Sequence, residues 1–199
     1  MSALNLPPLP PVDGEITGRS VVDVIEHRHR ELIALVDRLT DPDSPRRDRL
    51  ADVVVAELSR HLSAEEQYLY PAVRAVVPDG HLITDRELAE DRQLLLALQR
   101  LSKAGADLDA PAAEVAALVR RHAEADAAEL LPLLTQMAPV EDLIRVGNRV
   151  ELAEEAAPTR PHPRTPSAPP WNKVVDPVVA MVDKIRDVAA GRTTYPKDL

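Results

Sequence analysis

The chain has 199 residues, 45% of them hydrophobic, yet only three Tyr, one Trp and no Phe. Any core is therefore Leu, Val, Ile and Ala, a composition for packed helices rather than a β-sandwich. A net charge of -9 argues against nucleic acid and anionic membrane surfaces, which select basic stripes; the lack of Cys excludes disulfides, iron–sulfur clusters and thiol nucleophiles.

Residues 1–19 open with a Pro-rich stretch, read as a disordered segment; it lacks the basic-then-apolar order of a secretory signal. The first amphipathic segment runs over 20–39, with Ser20 as N-cap and Asp23 three positions on. The second starts at Ser44-Pro45, a cap followed by proline at the first helical position, and reaches Val77. Thr84 and Glu87 form a capping box at the head of the third, which ends near Ser102. The fourth opens at Asp109-Ala110-Pro111 and ends near Met137. Short connections leave consecutive helices antiparallel, so 20–137 is expected to be an up-down-up-down four-helix bundle. A further helix at 138–157 is followed by a Pro-rich linker at 158–175 and a C-terminal helix and tail at 176–199, the helix running from Asp176-Pro177 to Gly191. Trp171 is placed to pin that tail, whose protein partner is not specified by the sequence. No apolar run is long enough for a membrane span, no Gly-rich nucleotide fingerprint occurs, and the expected location is the cytoplasm.

An internal repeat organises the bundle. His29-Arg-Glu-Leu aligns with Asp91-Arg-Gln-Leu, and Arg60-His61 through Pro71 aligns with Arg121-His122 through Pro132. Each half reads as a helical hairpin. Pro71 and Pro132, at matching positions, each remove a backbone donor and are expected to kink their helices.

Helical periodicity turns the repeat into a site. With about 100° per residue, Glu65 falls about 40° from His61, among Val54 and Leu58; Asp126 falls about 40° from His122, among Val115, Leu118 and Val119. His29 shares a stripe with Ile25, Leu32 and Val36, and Asp91 one with Leu88, Leu95 and Leu98. His27, His81 and His162 read as solvated. Six polar groups in an aliphatic core are costly unless paired or coordinated. Three neutral imidazoles and three carboxylates carry a formal charge of minus three; two divalent ions leave one positive charge for a hydroxide or similar bridge. Mixed imidazole and carboxylate donors suit iron, manganese or zinc, and redox use favours iron. A ferritin-type centre needs Glu-x-x-His on two helices; only Glu26 and His29 fit, and that reading fails.

The order His29, His61-xxx-Glu65, one donor on the third helix, then His122-xxx-Asp126 resembles the hemerythrin/HHE cation-binding family over roughly 20–137. The block from His61 to Pro71 is its most specific part. The resemblance implies a non-haem di-iron centre that takes dioxygen, peroxide or nitric oxide; a non-catalytic oxygen- or iron-sensing module, or a degenerate scaffold, are the alternatives. Two departures stand out: Asp91 where the family usually has His, and the shorter Asp126 in the second pair. Glu129, on the inward face seven residues after His122, or Tyr68, its counterpart in the first half, is expected to complete the coordination, with Tyr68 also a candidate electron donor or proton source. Tight Leu and Ala packing, with no lid, limits the external ligand to a very small molecule.

Overall fold

A computed structural model of the chain describes residues 16–162, Asp183, Asp187 and 191–199. The linker beyond residue 162, Trp171 and most of the C-terminal helix lie outside the described residues; Asp183 and Asp187 have helical backbone. The architecture is all-helical, with no strand among the described residues, and none of its described helices is long and apolar enough to cross a membrane.

Helix α1 (Val21–Thr40) starts as read, with Ser20 Oγ accepting from the Asp23 N–H at 3.2 Å. Helix α2 (Arg47–Ala64) does not start at Pro45: Arg46 adopts a left-handed conformation, φ 54°, and the helix begins after it. A π-helical turn (Glu65–Leu69) then carries the chain into α3 (Tyr70–Val76). Helix α4 (Gly80–Leu101) begins a full turn before the expected cap. The chain reverses there through left-handed Asp79, and Gly80 packs so closely that a Cβ would sit 2.6 Å from the Val73 carbonyl oxygen. Thr84 is consequently buried inside the helix, accepting from Arg74 Nε at 2.6 Å. Helix α5 (Asp109–Ala125) leads through a second π-helical turn (Asp126–Leu130) into α6 (Leu131–Met137). Helix α7 (Val140–Ala156) completes the sequence, with Pro139 as its N-cap.

The four bundle helices are α1, α2–α3, α4 and α5–α6, each of the second and fourth continuous through its π turn. Neighbours in space are α1 with α2, α3 with α4, α4 with α5, and α5 with α1, which closes the ring. Helix α7 lies outside it, on α1 and α2. Gly147 permits that approach, since a Cβ there would fall 2.9 Å from the Val21 nitrogen.

Both π turns have the same cause. Tyr70 and Leu131 donate their N–H groups five residues back, to the carbonyls of Glu65 and Asp126. Each is followed by the proline that lacks a donor and whose ring clashes with the preceding turn. Widening the turn by one residue relieves that clash without breaking the helix. The prolines act by a register shift where a kink is the ordinary expectation.

Two apolar clusters fill the bundle. One, around Leu32, Leu58, Leu98 and Val119, occupies the end of the α4–α5 connection. The other, around Ile25, Leu69, Val73, Leu130 and Leu134, occupies the opposite end with α7. Along α1, His29 lies between Ile25 of one cluster and Leu32 of the other; His61, Asp91 and His122 occupy the same level on their helices.

Candidate metal centre

Six polar side chains meet in that middle layer, all buried: His29, His61, Glu65, Asp91, His122 and Asp126. The three imidazoles pack edge to face with centroids 4.9, 5.0 and 5.6 Å apart. His29 Nε2 lies 3.1 Å from His61 Nε2. Glu65 stands between the halves: Oε1 is 3.3 Å from His61 Nε2 and 3.7 Å from His29 Nε2, while Oε2 is 3.2 Å from His122 Nε2. Asp126 Oδ2 lies 3.7 Å from His29 Nε2 and 3.9 Å from His122 Nε2. One donor atom from each of His29, His61, Glu65 and His122 fits within a mutual 4.8 Å.

Asp91 is placed differently. Its Oδ1 faces the outer nitrogen of His122, Nδ1, at 3.3 Å, and its Oδ2 accepts from the Tyr70 hydroxyl at 2.7 Å. The sequence puts Asp91 among the donors; the structure sets it behind the His122 ring at ion-pair distance, with Asp91 Oδ1 and His122 Nδ1 both left without a hydrogen bond.

Tyr68 and Glu129 are also placed differently from the sequence expectation. Glu129 is about half exposed and ion-paired with Arg86 at 2.6 Å, away from the imidazoles. Tyr68 is half-buried, and the phenol that reaches the site is Tyr70, whose Oη also lies 3.5 Å from Glu65 Oε2. On an uninterrupted helix Tyr70 would stand about 180° from His61. The π turn removes about one residue of rotation, about 100°, bringing Tyr70 to the side of Glu65 and turning Tyr68 aside. Glu129, the repeat equivalent of Tyr68, is turned away by the second π turn.

Two more acids were missed by periodicity. Glu87, read as half of a capping box, is wholly buried one turn before Asp91, with Oε1 3.0 Å from Arg86. Glu154, on α7, places Oε1 3.3 Å from His61 Nδ1. Nothing in a single sequence ties α7 to the site. His27 is exposed, as expected, and pairs with Glu31 at 3.4 Å. His162, read as solvated, instead lies 2.9 Å from Asp183 Oδ2.

The electrostatics are those of a crowded, dry cluster. Burial lowers the His29 imidazole to about 4, against a smaller opposing pull from Glu65. Burial alone would push the Glu65 carboxyl up, but His61 and His122 outweigh it and hold the acid well below its ordinary range. His122 is raised well above its ordinary value: burial works against its charge, and Glu65 and Asp126 overcome that. Asp126 is raised well above the carboxylate range by burial and then by Glu65. Burial, followed by Asp91 and Glu65, drives the Tyr70 phenol well up.

The donors fit a metal ion on the structure's own terms. Glu65 Oε1, Asp91 Oδ1, both oxygens of Asp126 and both ring nitrogens of His122 are buried without a hydrogen-bond partner; Glu65 Oε1 and Asp126 Oδ2 each lie 3.7 Å from His29 Nε2, and His122 Nε2 lies 3.9 Å from Asp126 Oδ2. Orphaned buried carboxylate oxygens cost several kcal/mol each on the usual scale, about 1–3 kcal/mol or more. A cation is the group that satisfies several of them at once.

Bundle and cluster together define a metal-binding helical protein. The model of the hemerythrin HHE cation binding domain matches residues 20–144, and the chain belongs to that family. It is also similar to an uncharacterized hemerythrin-like protein of Schizosaccharomyces pombe, 22% identical over 173 residues, covering 84% of this chain and 85% of the relative. No solved structure matches the chain significantly.

Proposed function

We propose that this chain is a non-haem di-iron protein that handles a very small ligand: dioxygen, peroxide or nitric oxide. The observation that supports two ions over one is Glu65, which offers one oxygen to His29 and His61 and the other to His122. A carboxylate split between two imidazole sets is the arrangement of a bridge. His29, His61 and Glu65 would hold one ion; His122, Glu65 and Asp126 would hold the other. Imidazole with carboxylate suits iron above manganese or zinc where redox change is used. Iron held there supplies Lewis acidity and electron transfer.

The protein's own residues shape what reaches it. Leu and Val clusters seal both ends of the layer and exclude water and larger ligands. Asp91 faces the outer nitrogen of His122, and Tyr70 donates to Asp91 while keeping its proton on Oη. Tyr70 thereby acts as a fixed hydrogen-bond donor rather than an acid.

The test is iron content and response of the full chain loaded with ferrous iron. Two ions per chain are expected, with optical bands that change on adding dioxygen, peroxide or nitric oxide. Protein that retains no iron after desalting would overturn the reading. Reversible bands without consumption of ligand would assign binding or sensing; consumption faster than by free iron would assign catalysis.

A further inference from the structure

The repeat-equivalent histidines His61 and His122 are built alike at their inner nitrogens and differently at their outer ones. Each turns Nε2 to Glu65. The outer Nδ1 of His122 meets Asp91, from within the bundle, at 3.3 Å. The outer Nδ1 of His61 meets Glu154, also at 3.3 Å, and Glu154 lies beyond residue 144, where the family match ends.

We propose that Glu154 is the positioning residue of His61: its carboxylate accepts the Nδ1–H, fixes the tautomer that leaves Nε2 as a lone pair toward the centre, and so tunes metal affinity from outside the family domain. This rests on the metal-binding reading of the site. Three features carry it. The carboxylate is held in place, with Arg28 Nε donating to the same Oε1 at 3.2 Å. Arg28 is itself tied to Glu57, and Arg60 binds Glu57 at 2.5 Å and reaches the Thr194 carbonyl oxygen at 2.8 Å. This chain of buried and half-buried charges holds α7 in register with α1 and α2.

Helix α7 is also held at its middle. Asn148 Nδ2 donates to the Thr17 carbonyl oxygen at 3.1 Å, and Gly147 lets the helix touch the start of α1. Finally, a carboxylate behind a metal-binding imidazole raises ligand basicity as well as fixing the ring, and its loss typically weakens metal binding about 10–100-fold. Glu154 borders a cleft of about 620 Å³ together with Arg19, Arg28 and Tyr195. Truncation there admits water instead of leaving a sealed void, so variants at this position should fold.

Two measurements on the full chain test it. Long-range proton–nitrogen NMR of the metal-free protein should show His61 protonated at Nδ1. Glu154→Ala should shift it toward the Nε2–H tautomer, and Glu154→Gln, which still accepts a hydrogen bond, should retain Nδ1–H. Chelator competition with Zn2+ should show affinity weakened about 10–100-fold in Glu154→Ala and by less in Glu154→Gln. Glu151→Gln, which breaks only the outer contact of α7 with Arg19, should leave both readouts unchanged. An unchanged His61 tautomer together with Zn2+ affinity within about twofold of the parent would overturn the proposal. If the parent chain bound no Zn2+ while the tautomer still responded, the metal reading would fall and the positioning of His61 by Glu154 would stand.

Discussion

The two hairpins of the bundle carry the same skeleton and different chemistry. His61, Glu65 and Pro71 in one correspond to His122, Asp126 and Pro132 in the other, and each pair is separated by a π turn of identical length. The first half adds His29 and Tyr70; at the equivalent places the second half has Asp91 and Leu131. The first is therefore richer in imidazole and the second in acid. Glu65 serves both, whereas Asp126, one methylene shorter, stays 3.7–3.9 Å from the imidazoles. Duplicated scaffolds thus keep the backbone device that aims the side chains and let the donors diverge.

The largest test of that asymmetry is removal of each carboxylate. Glu65→Ala is expected to cut metal affinity more than Asp126→Ala, because the first removes a donor from both halves and the second from one. Chelator competition measures both, and equal losses would erase the distinction between the halves.

Protons provide the next. In the metal-free second half His122 and Asp126 are both raised and keep their protons to higher pH than free groups do, while His29, lowered to about 4, is neutral at pH 7. Metal uptake at pH 7 is then expected to release protons, read by calorimetry in buffers of different ionisation enthalpy. Affinity rises with pH as a result. In the metal-free chain the signs oppose. The folded-state value of His29 lies below its ordinary one, so its contribution is present above about pH 6.5 and lost as pH falls toward 4. The raised His122 contributes below its ordinary value and loses that contribution as pH climbs through its folded one.

Tyr70→Phe probes a smaller difference. It strands Asp91 Oδ2, which the hydroxyl now satisfies at 2.7 Å, and should cost about 1–3 kcal/mol in denaturant melts. Leu131 shows that the second half needs no such donor. The smallest effect belongs to Glu129→Gln. Its pair with Arg86 is half exposed, so stability should change by less than about 0.5 kcal/mol and metal content not at all. Loss of metal in that variant would return Glu129 to the list of donors.

How far the site could be read from sequence follows from what each residue depends on. His61, Glu65, His122 and Asp126 are one helical turn apart on unbroken α-helix, so periodicity alone puts each pair on a core stripe. His29 and Asp91 followed from the stripes of their own helices, although the job of Asp91 did not, because an inner donor and an outer partner occupy the same face. Tyr70 was hidden by the prolines. Pro71 signals a disturbance, but only the surrounding packing decides between a kink and a wide turn, and the wide turn moves every later residue by about 100°. Glu154 was illegible for another reason: its role depends on where α7 docks.

Sequence by itself determined the all-helical class, the repeat, and the buried imidazoles and acids, because these rest on spacing within single helices. Tertiary structure decided which tyrosine faces Asp91, that Glu129 and Tyr68 turn away, and that an acid from α7 stands behind His61. Those outcomes depend on the rotation of one helix segment against its neighbours and on the docking of a helix outside the bundle. Both are set by packing across the whole core and leave no local periodic trace.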